Sequence, residues 1–116
     1  MATIYQWKLE QDFGRDTFKV RKKVVEAKET AKQYRALEEE FVNFQRTLLK
    51  ASIDTVSMGS FREPVYSSLD PNEEVALAKL KEWYKDYSNR KIADLTSEIE
   101  RRKNLLQQVE SLTIEG

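Results

Sequence analysis

The chain has 116 residues, with 20 basic and 20 acidic side chains, no cysteine and no histidine. One domain fits that length, and the missing imidazole and thiolate exclude Ser-His-Asp, Cys-His, zinc-finger and thiol-redox chemistry. Hydrophobic residues make up 40% and charged residues 34%, so a core can form but long polar faces must surround it.

The charges are interspersed. Residues 1–30 carry seven basic and five acidic groups, residues 31–70 five and six, and residues 71–116 eight and nine. No segment is a polyanion that mimics DNA or a strongly basic arm, so direct nucleic-acid binding is not expected. No apolar run approaches the ~20 residues of a membrane span. The start, Met1-Ala2-Thr3-Ile4-Tyr5-Gln6-Trp7-Lys8, lacks the basic-then-apolar order of a secretory signal.

The N-terminal segment, residues 1–15, holds Ile4, Tyr5, Trp7, Leu9 and Phe13. Tyr5, Leu9 and Phe13 repeat every four residues and suit a short helix ending near Gly14. Tyr5, Trp7 and Leu9 also alternate, which suits a strand. The helix is preferred, with its aromatics covering an open end of the fold or anchoring a partner.

Residues 17–51 read as a long helix. Val20, Val24, Ala27, Ala31 and Tyr34 step by four, three, four and three, and so do Leu37, Phe41, Phe44, Leu48 and Ala51. That is a heptad seam with one three-residue stammer.

Residues 52–69 read as a connecting loop, from Ser52, Asp54, Ser57, Gly59, Ser60, Pro64, Ser67 and Ser68. Its apolar residues, among them Met58, Phe61 and Tyr66, either fold back on the helix ends or meet a partner.

Residues 71–112 read as a second long helix. Asp70-Pro71-Asn72-Glu73 offers a cap, a first-position proline and a Glu three residues after the cap. Its seam runs Leu77, Leu80, Tyr84, Tyr87, breaks at Ser88–Lys91, and resumes at Ile92, Leu95, Ile99, Arg102, Leu106, Val109 and Leu112.

The expected fold is therefore all-α: a single helical domain over 1–116, built as a long antiparallel, coiled-coil-like helical hairpin with a short N-terminal helix. Val25, Val42, Leu49, Val75, Trp83 and Leu105 widen the apolar stripe beyond one helix partner. That excess predicts a homodimer forming a helical bundle, or a protein partner in its place.

Signals that look chemical have plain readings. Asp12-Phe13-Gly14 spells the kinase magnesium triplet without the rest of a kinase. Glu38-Glu39-Glu40 splay apart on a helix. Lys19, Arg21, Lys22 and Lys23, and Arg101-Arg102-Lys103, lie among acidic neighbours. Tyr66 and Asp70 match the spacing of a type VII export motif, but Asp70 already has a capping role. No catalytic, cofactor-binding or metal-ligating residue is assigned. The candidate partner-binding residues are Tyr5, Trp7, Met58, Phe61, Tyr66 and Trp83.

Tyr34-Arg35-Ala36-Leu37-Glu38, Met58-Gly59, Glu73-Glu74, Ala78-Lys79-Leu80 and Val109-Glu110-Ser111-Leu112 occur in an order that resembles the N-terminal coiled-coil half of ArpU-type phage regulators. The resemblance covers roughly residues 28–112. It implies a phage or prophage origin, a bacterial cytoplasmic location and a helical interaction module. The family's sigma-factor-like helix-turn-helix has no counterpart here, so DNA recognition is not carried over. The expected function is that of a non-catalytic protein that binds another protein, as a regulator of transcription. The alternatives are an anti-defence inhibitor such as an anti-CRISPR protein, and a helical-hairpin partner of a type VII-secreted toxin. An enzyme is not expected, and neither is a cofactor.

Overall fold

A computed structural model describes residues 1–42, 47–59 and 62–114. It divides into two compact units, Met1–Trp83 and Tyr84–Gly116.

The first unit is a curled, half-barrel-like antiparallel sheet with the opening turns of a helix. Strands β1 (Ala2–Asp12), β2 (Thr17–Glu29), β3 (Gln33–Ala36), β4 (Thr47–Leu49), β5 (Thr55–Met58) and β6 (Pro64–Ser68) are followed by helix α1 (Glu73–Glu110). A single 3₁₀ turn, Lys50–Ser52, lies between β4 and β5. The spatial order is β4-β3-β2-β1-β6-β5. The second unit is the remainder of α1 and its end.

The all-α fold is thus overturned. Among the described residues there is one α-helix, so there is no helical hairpin, no intrachain coiled coil and no bundle of hairpins. The N-terminal segment is strand β1, because the alternation of Tyr5, Trp7 and Leu9 wins over the four-residue repeat. The predicted 17–51 helix is β2, β3, β4 and the 3₁₀ turn. A step of four keeps a residue on one side of both a helix and a strand, so Val20 and Val24 fit either. Val25 and Ala27, two residues apart, are the ones buried in β2. Tyr34 and Ala36 repeat that spacing in β3. β-branched Val20, Val24 and Val25 favour the pleated form.

β1 and β2 pair without a break from Ala2 opposite Ala27 to Asp12 opposite Thr17. The Asp12-Phe13-Gly14 triplet is part of their turn. Asp12 Oδ1 accepts from the Gly14 N–H at 3.0 Å, and Asp16 takes a left-handed φ of 52°, which Asp tolerates better than most residues.

The 52–69 segment is not a loop. β5 pairs with β6, and β6 pairs with β1 through Tyr5–Ser68, Gln6–Ser67, Trp7–Tyr66 and Lys8–Val65. All five β6 residues are buried. Pro64 stands first in its strand, a position that tolerates a missing N–H. Phe61 lies outside the described residues. Gly59 is fixed by space: a Cβ there would lie 2.7 Å from the Phe41 carbonyl oxygen and 3.0 Å from Val65 Cγ2.

The helix predicted over 71–112 is present as Glu73–Glu110. Its cap sits two residues later than expected. Asn72 Oδ1 accepts from the N–H groups of Glu74 and Val75, while Asp70 Oδ1 accepts from the Asn72 N–H. No helix among the described residues is long and apolar enough to cross a membrane.

Candidate functional site

Residues opposite each other on an antiparallel ladder share a face, which sorts the sheet into two sides. Ile4, Ala27, Tyr34 and Leu48 form a core on one side, with Ala2, Val42 and Ile53 packed against it. Trp7, Tyr66, Ala76 and Leu80 form the core on the other side, where the start of α1 lies.

At the centre of the first side is a buried polar network. Gln6 Nε2 donates to Glu40 Oε2 at 2.7 Å and to Ser67 Oγ at 3.2 Å, and Gln6 Oε1 accepts from the Phe41 N–H at 2.9 Å. Glu40 Oε2 also accepts from the Val42 N–H at 3.0 Å. Glu40 is therefore buried, not splayed outward on a helix, and it ties the 40–42 backbone to the sheet. Farther along the same side, Glu10 meets Lys8 at 3.1 Å, Arg21 at 3.3 Å and Lys19 at 3.5 Å. Burial alone would raise the Glu10 carboxyl's pKa. The Lys8 hydrogen bond and the charges of Lys8, Arg21 and Lys19 outweigh it and hold it below the usual carboxylate value.

The predicted aromatic residues fall mainly on the second side. Trp7 and Tyr66 are each 2% exposed, with ring centroids 6.0 Å apart, so their rings belong to the packing between sheet and helix. The Trp7 Nε1–H is buried without a hydrogen-bond partner among the described residues. Tyr5 and Trp83 are half-buried. Lys22 Nζ sits 5.5 Å from the Tyr5 ring centre and 3.4 Å from Glu73 Oε1, joining β2 to the helix start.

Tyr66 and Asp70, which match the export-motif spacing, both make local structural bonds. The Tyr66 hydroxyl donates to Asp54 Oδ1 at 3.4 Å, and Ser68 Oγ donates to the same oxygen at 2.6 Å. Burial pushes the Tyr66 pKa up; the Ser68 hydrogen bond opposes this and Asp54 adds to it. Met58 is exposed on edge strand β5. Of the six predicted residues, Trp7 and Tyr66 are core partners, Tyr5 and Trp83 are half-buried, Met58 is exposed opposite Pro64, and Phe61 lies outside the described residues.

The second unit carries a different candidate. Ile92, Leu95, Ile99, Leu106 and Val109 are each 54–62% exposed. They recur at steps of three, four, seven and three, with Arg102 filling the gap in the seven-residue step. This is the seam that the sequence marks for burial against the 17–51 helix. With that helix absent, the seam stands uncovered. Sequence reasoning found its residues but assigned them to an internal core.

Among the described residues, no group of three or more potential ligands gathers to hold a metal ion. A groove of about 730 Å³ runs past Asp54, Tyr66, Ser68, Asp70, Val75 and Lys79 at the helix start. Its central polar atoms already bond one another through Asp54 and Ser68. Comparison with protein-family models, curated proteins and solved structures finds no significant match.

Proposed function

We propose that this chain is a non-catalytic binding protein whose contact surface is the apolar seam of α1 between residues 92 and 109. The observation that carries this reading is the exposure of five large aliphatic side chains along one periodic line of the helix. Large apolar patches kept in water mark interaction sites more often than chance surface. A repeat averaging 3.5 residues is the signature of a helix that pairs lengthwise with another helix. The missing imidazole and thiol side chains support a binding role over catalysis.

On this reading the sheet unit supplies a folded base, and the second unit supplies the recognition element. The test compares protein association by the native chain with that of Leu95→Asp and Val109→Asp variants. Circular dichroism and thermal melting confirm that the sheet persists in each. Seam variants are expected to lose association while a control change at exposed Lys28 keeps it. Association that survives both seam changes refutes the reading.

A further inference from the structure

Resting on that reading, we infer that the occupant of the seam is a second copy of this chain, paired parallel and in register from Ile92 to Val109. Let Ile92, Ile99 and Leu106 take the first inward position of each seven-residue repeat, and Leu95, Arg102 and Val109 the second. Ile at the first position with Leu at the second is the combination that favours two parallel helices. Ile92, Leu95 and Ile99 supply it.

The flanking charges complement a copy of the same helix. In the parallel register, Glu98 of one chain faces Lys103 of the other, and symmetry gives that contact twice. The other flanking pairs, Lys91 with Thr96 and Leu105 with Glu110, bring no like charges together. Within its own helix Glu98 lies 3.6 Å from Arg102 Nε and 3.7 Å from Arg101 Nη1. Glu98 is therefore placed to neutralise the one cationic seam position while it meets Lys103 of the second copy.

Arg102 decides the register. In the parallel pair, the two arginines share one layer, where their long stems reach the flanking Glu98 carboxylates and water. A shift by one repeat sets each arginine against Leu95 or Val109, and an antiparallel pair centred on the seam sets it against Ile99 in two layers. Each alternative desolvates cations in two apolar layers instead of one. A single polar seam residue that fixes register at a cost in stability is an established use of such positions.

The native chain contains no cysteine, so single introduced thiols report geometry without background. Sedimentation of the full chain at micromolar concentration is expected to show a dimer, and Ile99→Asp a monomer that retains the sheet's circular dichroism. Leu95→Cys is expected to form a covalent dimer in a glutathione redox buffer. Arg102→Leu is expected to tighten dimerisation by roughly tenfold or more, because the polar layer becomes apolar. A native chain that stays monomeric overturns the inference. So does Leu95→Cys that crosslinks only when mixed with Leu106→Cys, which marks an antiparallel pair. A monomer whose capture of another protein still depends on the seam refutes the second copy but leaves the binding reading standing. Seam variants that change neither property refute both.

Discussion

Replacing Gln6 by Leu tests how the sheet holds its centre. The side chain makes three hydrogen bonds, to Glu40, Ser67 and the Phe41 N–H, and the residue is fully buried. Leucine fills a similar volume but leaves the Phe41 N–H without this acceptor and removes one donor from the Glu40 carboxylate. Each buried group so deprived costs ~1–3 kcal/mol, and the extra apolar surface returns about 1–2 kcal/mol. The expected net loss is about 3 kcal/mol, a fall of roughly 10–25 °C in Tm for a unit of this size. Urea and thermal melts followed by far-ultraviolet circular dichroism and tryptophan fluorescence measure it. Adding Glu40→Leu removes the carboxylate that has lost its Gln6 donor, so the double variant is expected to be more stable than the sum of the single changes by at least ~1 kcal/mol. Strict additivity, or a Gln6→Leu protein as stable as the native one, refutes the network as described.

Gly59→Ala forces the new methyl against the Phe41 carbonyl at 2.7 Å; a loss of about 1–3 kcal/mol in chemical denaturation is expected, and an unchanged midpoint contradicts the close approach. Asn72→Ala removes the acceptor for Glu74 and Val75, with an expected cost of ~1 kcal/mol; Asp70→Ala, which touches only the preceding turn, is expected to cost less in the same melts. Asp16→Gly relieves a left-handed residue in the exposed β1–β2 turn and is expected to raise stability by roughly 0.5–1 kcal/mol. The folded pKa of Glu10 is depressed, so its contribution is present above the unfolded carboxylate pKa of ~4.3 and is lost as pH falls through the folded value. Glu10→Gln is therefore expected to lower the urea midpoint at pH 7 and to change it little once the native carboxylate is protonated. Equal effects at both pH values refute the ion cluster's role.

Some of this architecture is legible in the chain. Asp70-Pro71-Asn72-Glu73 announces a helix start, and the absence of Gly or Pro from 73 to 110 lets that helix run on. The seam at Ile92, Leu95 and Ile99 is equally plain. The β1–β2 ribbon is not, because residues four apart share a face in both helix and strand. Only the pairing of Tyr5 with Val24 and Trp7 with Lys22 settles which period applies, and pairing is a long-range property. The serines of β6 mislead for a related reason. Ser67 and Ser68 look like loop formers, yet Gln6 and Asp54 satisfy their hydroxyls inside the fold. The same holds for Glu40, whose partner is 34 residues away. The exposure of the seam is not legible in the sequence, since the same spacing pairs it with the helix predicted over 17–51.

The strand order also sets a timetable for folding. β1–β2, β2–β3 and β5–β6 are each closed by neighbouring strands, but β1 meets β6 across a separation of 61 residues at the Gln6–Ser67 contact. During synthesis, the β1–β2–β3 meander emerges with one edge of β1 bare until residues 64–68 arrive. An open strand edge templates aggregation, and Gln6 and Lys8 interrupt the apolar residues along this one. Pulsed hydrogen exchange during refolding is expected to protect β2 amides before those of β6, and the reverse order contradicts this sequence of events. The glutamine that anchors the finished sheet would then serve earlier as a guard on its unfinished border.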